Sequence, residues 1–428
     1  MLRLSDGART VSGLRGVRAF RHRNYRLFFG GQLISLIGTW MQSVAQAWLI
    51  LTLTGDAFVL GLVSAIQWLP MLVLGLFGGI VADALPKRPT LIATQVAMMA
   101  LAAVLGLLVL LGAVQVWMIL LIAFLLGIAN AVDMPVRQAF AVEMVGREDV
   151  ANAVALNSAM FNMARIVGPA VAGLAIAVLG LPVAFLLNAA SFLAVIVGLI
   201  LMRDEELRSP PLLPRPRSVR EVGENLAEGL RYVRATPVVL LATLVVGVVS
   251  TFAMNFNVLV PPFARDVLGS GADGLGFLMA GMGVGSLVGA LLLAFARRPS
   301  PWAIAGGALL LGASEIAVGL TRSYPVGLGL FFFVGLGAIG MAATANTTIQ
   351  LVVPDGLRGR VMAIYATVFA GSTPIGGLIA GSVASAWGVP VALGVGGALA
   401  VLAGLGGIAW LRRVGLPQPS GTEAISVG

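Results

Sequence analysis

The chain has 428 residues, 59% of them hydrophobic and 11% charged, and a mean hydropathy of +0.99, more apolar surface than a soluble domain of that length can bury. It contains no cysteine and a single histidine, His22, which excludes disulfides, thiolate metal sites and thiol catalysis and leaves imidazole chemistry almost no room. The formal charge of +9 invites a nucleic-acid reading, but the placement of the charge argues against one.

Residues 1–24 form an arginine-rich arm. An amphipathic turn through Leu14, Val17 and Phe20 on a membrane surface fits it, and so does a solvated arm. Basic residues ahead of an apolar run also suit a signal peptide. That run is too long, carries Gln32, Gln42 and Gln46 and lacks an evident cleavage site, so it reads as a retained first span.

A bilayer crossing needs about 20 apolar residues. By that rule twelve spans run over 25–51, 58–82, 90–111, 116–139, 152–178, 182–201, 238–263, 272–296, 302–320, 325–350, 361–384 and 389–411. Residues 25–202 thus make one six-span bundle and 237–412 a second, followed by a polar tail at 413–428 read as disordered. Of the 27 basic residues, all but Arg165, Arg265 and Arg322 fall on the side of the N-terminus. Cytoplasmic loops carry that excess, so both termini are expected in the cytoplasm. The positive charge is then a topology signal.

Between the bundles lies a polar linker, 203–236. It opens proline-rich and extended. Ser218 and Glu221 then form a capping box, and Val219, Val222, Leu226, Leu230 and Val233 recur at helical spacing, which predicts a surface helix. The halves echo each other: residues 138–156 find a counterpart at 350–366, and GPAVAG (168–173) one in GGLIAG (376–381). Copies running in the same direction form a parallel repeat, and transporters place substrate sites at such repeat interfaces.

The most informative run is NSAMFNMARIVGPAVAG (157–173), where Arg165 interrupts span 5. A charge at bilayer depth costs about 2.5–3.5 kcal/mol on insertion scales, so it faces a cavity or a protein partner. Pro169 removes a backbone donor and favours a kink, while Gly168, Ala172 and Gly173 offer a smooth face to a neighbouring helix. Two readings of Arg165 stand. It ties helices together through carbonyls or the amides of Asn162 and Asn130, or it attracts an anionic substrate group or biases a nearby carboxyl. It cannot itself release a proton, since its pKa exceeds about 12.

Of 18 acidic residues, Asp133 and Glu315 fall at membrane depth, with Asp83 and Glu143 at its cytoplasmic edge. A carboxyl's proton affinity rises with burial and falls beside a cation. A carboxyl that moves between such settings can load and release a proton, which makes Asp133 and Glu315 the candidate carriers. Asp133 precedes Arg137 by one helical turn, the spacing of a structural pair; Glu315 on span 9 also reads as a packing or snorkelling acid. Span 1 sets Gln32, Ser35, Thr39, Gln42 and Gln46 on one face. In lipid such a stripe faces other helices or water.

Residues 79–88, GIVADALPKR, resemble the cytoplasmic signature of the major facilitator superfamily, with Asp83 and the pair Lys87–Arg88 in place. The run holding Gly168, Pro169 and Gly173 is similar to the motif of that superfamily's exporters. VDMPVRQAF (132–140), followed by VEMVGREDVANAVALNS, resembles its siderophore (enterobactin), macrolide and multidrug exporter branch. One departure stands out: the second-half loop, AFARRP (294–299), keeps a basic pair but lacks the aspartate.

The resemblance implies an all-α protein of twelve transmembrane helices in two six-helix bundles related by a pseudo-twofold. It implies a cytoplasmic gate of Gly79, Asp83, Lys87, Arg88, Asp133 and Arg137, with Asp133 meeting Lys87 or Arg88 and Asp83 meeting the start of span 11 near Arg360. In that fold span 1 lines the cavity. This extends the site to Thr39, Gln42, Gln46, Gln67, Phe161, Asn162 and Arg165, with Asn255, Phe256, Phe369 and Thr373 from the second half. Packing remains the alternative for each of them. The activity implied is secondary active export of a small amphipathic compound (drug, macrolide or siderophore-like) in exchange for protons. Uptake by symport is the alternative. No P-loop for ATP is present in the sequence, and no enzymatic constellation, metal site or cofactor is expected. The partners expected are a small-molecule substrate, protons and the bilayer, with no nucleic acid. The expected setting is a monomer in the inner membrane of a bacterium.

Overall fold

The computed structural model describes residues 12–75, 85–208, 219–295 and 300–414, and among them there is no strand. An apolar chain in hydrocarbon must satisfy its backbone polar groups internally, which helices do within one segment. The helices are α1 (Arg23–Thr54), α2 (Ala57–Gly75), α3 (Lys87–Leu110), α4 (Val116–Leu179), α5 (Leu181–Ile200), α6 (Val219–Ala235), α7 (Pro237–Phe252), α8 (Phe256–Pro262), α9 (Ala272–Phe295), α10 (Pro301–Leu320), α11 (Tyr324–Val352), α12 (Asp355–Trp387) and α13 (Val389–Val414). A π turn, Phe263–Val267, continues α8 past the pair Pro261–Pro262.

Eleven helical stretches among the described residues are long and apolar enough to cross a membrane. One of them, α4, has 64 residues and turns at Gly146. Gly146 adopts φ +72, a left-handed conformation open to glycine, and Arg208 lies against it where a side chain would stand. The turn separates the stretches that the sequence divides into spans 4 and 5.

The chain groups into two compact units. The first comprises Met1–Pro214 with Val260–Ala280, the second Arg215–Leu259 with Gly281–Gly428. The boundary differs from a simple split at the linker, because the π turn and the first turns of α9 pack with the first unit. In that unit α1 lies against α4 and α5, α3 against α4 and α5, and α2 against α4. Its core gathers Tyr25, Phe28, Leu91, Phe140 and Met144. In the second unit α10 packs on α11 and α13, and α7 on α12 and α13, around Val246, Leu311 and Met341.

The basic arm is not free along its described length. Ser12–Arg21 forms a 3-10 helix whose end docks on the start of the second arm of α4. The Ala19 amide donates to Asn152 Oδ1 at 2.8 Å, and both Arg18 (3.4 Å) and His22 (3.0 Å) reach Asp149. Phe20 stacks edge-on against Phe29, centroids 4.8 Å apart. The linker helix forms as α6. Gly229 and Val233 face inward, and Leu226 and Leu230 are exposed. Ser218, the expected cap, lies outside the described residues, as do Arg297, Arg298 and the tail from 415 on.

Candidate functional site

The expected gate resolves into separate ties within the first unit. Gly79 and Asp83 lie outside the described residues. Asp133, fully buried on α4, accepts from Thr94 Oγ1 (2.7 Å) and Gln95 Nε2 (2.9 Å) of α3 and pairs with Arg137 one turn on. The carboxylate is thereby filled, and it meets neither Lys87 nor Arg88. Lys87 instead pairs with Glu143 at 2.6 Å. Arg88 pairs with Asp204 and donates to Leu199 O (2.7 Å) and Ile200 O (2.9 Å). The end of α5 presents unpaired carbonyls and the negative pole of its dipole, so a cation there is favoured. The gate pairing inferred from the resemblance is thus replaced by the i,i+4 pair that the spacing of Asp133 and Arg137 already offered.

The polar stripe of α1 divides in the same way. Gln32, Ser35, Gln42 and Gln46 are buried, whereas Thr39 is exposed and donates to Ser35 O of its own helix at 2.9 Å. Gln42 Oε1 accepts from Asn188 Nδ2 of α5 at 2.5 Å, and Ser191 Oγ donates to Asn188 Oδ1 at 3.1 Å. Gly38 allows that approach, since a Cβ there would stand 2.5 Å from Asn188 Oδ1. Gln42 therefore bonds helix to helix, as the packing alternative has it. Gln67 and Trp68 on α2 are half-buried.

Arg165 on the second arm of α4 has a different surrounding. Its side chain is half-buried and its Nε is fully enclosed without a hydrogen-bond partner. The two amides offered as tethers are engaged elsewhere: Asn162 donates to Ser158 O and Asn130 to Leu126 O, both at 2.8 Å. Phe161, exposed, meets Trp40 of α1 at a centroid distance of 5.7 Å, and Met160 is buried. One turn beyond Arg165 the glycine–proline run grips two helices. A Cβ on Gly168 would stand 2.5 Å from Trp40 Cβ and 2.9 Å from Ile37 O. One on Gly173 would stand 2.9 Å from Asp273 Cα of α9, and one on Gly276 would stand 2.5 Å from Pro169 O. Backbone thus meets backbone on both sides of this arm.

In the second unit Asn255 is buried and donates to Thr251 O at 2.8 Å. Phe256 and Thr373 are half-buried, Asn257 is exposed, and Met282 is buried. Phe369, at the surface of α12, stacks on Tyr365 with centroids 6.4 Å apart. Ser372 Oγ donates to Ser250 Oγ at 2.9 Å, tying α12 to α7. Glu315 on α10 is 2% exposed, and both carboxyl oxygens lack a partner.

Further links have no counterpart in the sequence reading, two of them at the ends of α1. Arg265 donates from Nη1 to Leu51 O of α1 at 2.5 Å while Nε holds Asp266 at 2.6 Å. The other is the grip of His22 and Arg18 on Asp149. Neither has a local signal, because the partners are 214 and at least 127 residues apart. Among the described residues no cluster of metal-ligating side chains occurs.

The helices and their glycine-lined crossings make a polytopic all-α membrane protein, and comparison with known proteins places it among transporters of the major facilitator type. A bacterial homolog of the human lysosomal transporter Spinster, in an inward-facing and occupied conformation, superposes with a TM-score of 0.71. It shares 15% identity over 91% of this chain and 97% of its own, a likeness of fold. The family model of transmembrane secretion effectors matches residues 15–425, and the chain belongs to that family. It is 29% identical to the multidrug efflux pump Tap of Mycolicibacterium fortuitum, over 82% of this chain and 87% of that one. It is 24% identical to the staphyloferrin A transporter of Staphylococcus aureus, over 85% and 90%. The protein is a transporter and not an enzyme.

Proposed function

We propose that the protein exports a small amphipathic compound bearing an anionic group across the bacterial inner membrane, in exchange for protons, by alternating access. The observation that carries this reading is Arg165. Cations in membrane spans pair with a carboxylate or with carbonyls, and here Nε is enclosed without a partner. A carboxylate or catecholate of the cargo supplies the missing charge. Phe161, one turn before it, with Thr39, Gln67 and Asn162 of the same unit, offers an adaptable lining. In the second unit Asn255, Phe256, Phe369 and Thr373 offer side chains of the same mixed character.

Relatives that handle drugs and a siderophore support export of such compounds. The two backbone-close crossings around Gly168 and Gly173, with Arg265 on Leu51 O, suit an outer closure that can open. A single hydrogen bond to a charged donor contributes about 1.5–3 kcal/mol, small enough to be broken each cycle. In this reading both termini are cytoplasmic and one chain suffices.

Inverted vesicles given an inward-acid proton gradient should accumulate a fluorescent anionic substrate. Accumulation unchanged after the gradient is collapsed would reject antiport. Arg165→Ala should lower transport at least about tenfold, with Arg165→Lys recovering part of it, and wild-type transport in Arg165→Ala would remove the anion site.

A further inference from the structure

We propose that Glu315, in the seam between α10 and α13, is the proton-binding site of the transporter, carried by the unit that does not hold Arg165. The proposal rests on the proton-exchange reading and names the group that carries the proton.

The geometry is that of a carboxyl packed between two apolar helices whose own hydrogen bonds occupy their backbones. α10 and α13 cross closely along a line of small residues: a Cβ on Gly312 would stand 2.8 Å from Val401 N, and one on Gly397 would stand 2.6 Å from Gly312 O and 3.1 Å from Glu315 Cβ. Glu315 enters that seam, 2% exposed, with neither Oε1 nor Oε2 hydrogen-bonded. The elements packed on α10 are α7, α11 and α13. Among their described residues the titratable or charged groups are Tyr324, at the first position of α11, and Arg412 and Arg413, in the last turn of α13. Arg412 lies fifteen residues beyond Gly397, about 22 Å along the helix. Arg322, just past α10, spends its guanidinium on Gly319 O (3.1 Å) and Thr321 O (3.0 Å). Among the described residues no cation therefore compensates the carboxylate where it stands.

Asp133, the other acid read as lying within a span, makes the contrast clear. Three partners, Thr94, Gln95 and Arg137, surround its carboxyl. A carboxyl without a cation or donors is tolerated in such a seam with its proton on, because an isolated buried charge is far costlier than a neutral acid. Releasing the proton places a bare charge between two close-packed helices and favours a packing that admits water. Taking one up from the outer water restores the seam. Glu315 lies five residues, about 7.5 Å, from the end of α10 that the expected topology sets outside. The proton moves from water to Oε1 or Oε2 and back to water, and no other bond changes.

Glu315→Gln keeps the shape and the neutral form and removes only the exchangeable proton. In proteoliposomes E315Q is expected to lose gradient-driven accumulation by at least about tenfold while gradient-free substrate exchange stays within about twofold of wild type. Gradient-driven transport at the wild-type level in E315Q overturns the proposal. Loss of exchange together with accumulation assigns the acid to packing and overturns it as well. Should E315Q fail to assemble, E315D carries the test: a displaced pH profile of transport supports the assignment and an unchanged one rejects it. If the wild type itself ignores the gradient, the exchange reading falls first. Difference infrared spectra of the wild type then still report whether a buried carboxylic acid band disappears as the pH is raised, and a band that never titrates rejects Glu315 independently.

Discussion

The two units hold their helices together by different chemistry. In the first, charged and amide groups cross between helices: Asp133 to Thr94 and Gln95, Lys87 to Glu143, Arg88 to the end of α5, Gln42 to Asn188. In the second, the described links inside the bundle are neutral, Ser286 to Gly335 O, Ser372 to Ser250 and Tyr365 to Ala342 O, while an ion pair, Arg360 with Glu228, ties α12 to the linker helix α6; backbones approach closely at Gly285, Gly335 and Gly312. Lipid supplies no hydrophobic drive between helices, so either close packing or polar links must serve. The difference teaches where charge is spent. The first unit satisfies its buried acid, and the second leaves Glu315 without a partner.

The strongest way to break the comparison is Asp133→Ala. It leaves the half-buried Arg137 without its carboxylate and strands Thr94 and Gln95. Removing one member of a buried pair costs about 3–5 kcal/mol. Detergent-solubilised protein should lose that much against thermal unfolding, with Asp133→Asn losing less because the amide still accepts from Thr94. An unchanged midpoint in Asp133→Ala would mean that the first unit does not depend on its ionic ties.

In the second unit the matching insult is steric. A side chain on Gly285 would enter the space of the Phe332 carbonyl. Gly285→Val is therefore expected to cost about 1–3 kcal/mol, the range for overpacking. The neutral link Ser286→Ala should cost about 1 kcal/mol or less. Thermal unfolding of both variants checks the order, and a costlier Ser286→Ala would reverse the picture of a bundle held by close packing.

These contrasts also show what one strand of sequence can carry. Apolar runs of bilayer length, the one-sided arginines and the glycine–proline run are local patterns, and they are sufficient for a polytopic fold of the exporter type. The Asp133–Arg137 pair was legible too, because i,i+4 spacing fixes neighbours on a helix. What Lys87, Arg88 and Gln42 touch was not. Each partner sits on another helix, 56, 116 and 146 residues away, and helix rotation decides which side chain arrives. Arg265 reaching a backbone carbonyl leaves no trace in residue type at all. Glu315 was visible as an acid in an apolar run; its lack of partners needed the packing of α10 on α13.

The smallest effect lies where the arm meets the first unit. The hydrogen bond from His22 foremost, and then the charges of Arg18, His22 and Arg21, hold the Asp149 carboxyl below its ordinary range against the opposing effect of burial. A depressed carboxyl contributes docking energy above its undocked pKa of about 3.9 and loses it as the pH falls through the lower docked value. The contribution is about 1 kcal/mol at most, since Arg18 is largely exposed and screened. The chain has no cysteine, so two introduced cysteines at Val17 and Val150 can carry spin labels without background. Their separation should stay short near neutral pH and broaden as the medium falls below the carboxylate range. In Asp149→Asn, which keeps an acceptor but loses the charge, the broad component should be present at neutral pH and change little on acidification. A distance that stays short in that variant at every pH would assign the arm's docking to Asn152 and the Phe20–Phe29 contact, neither of which titrates.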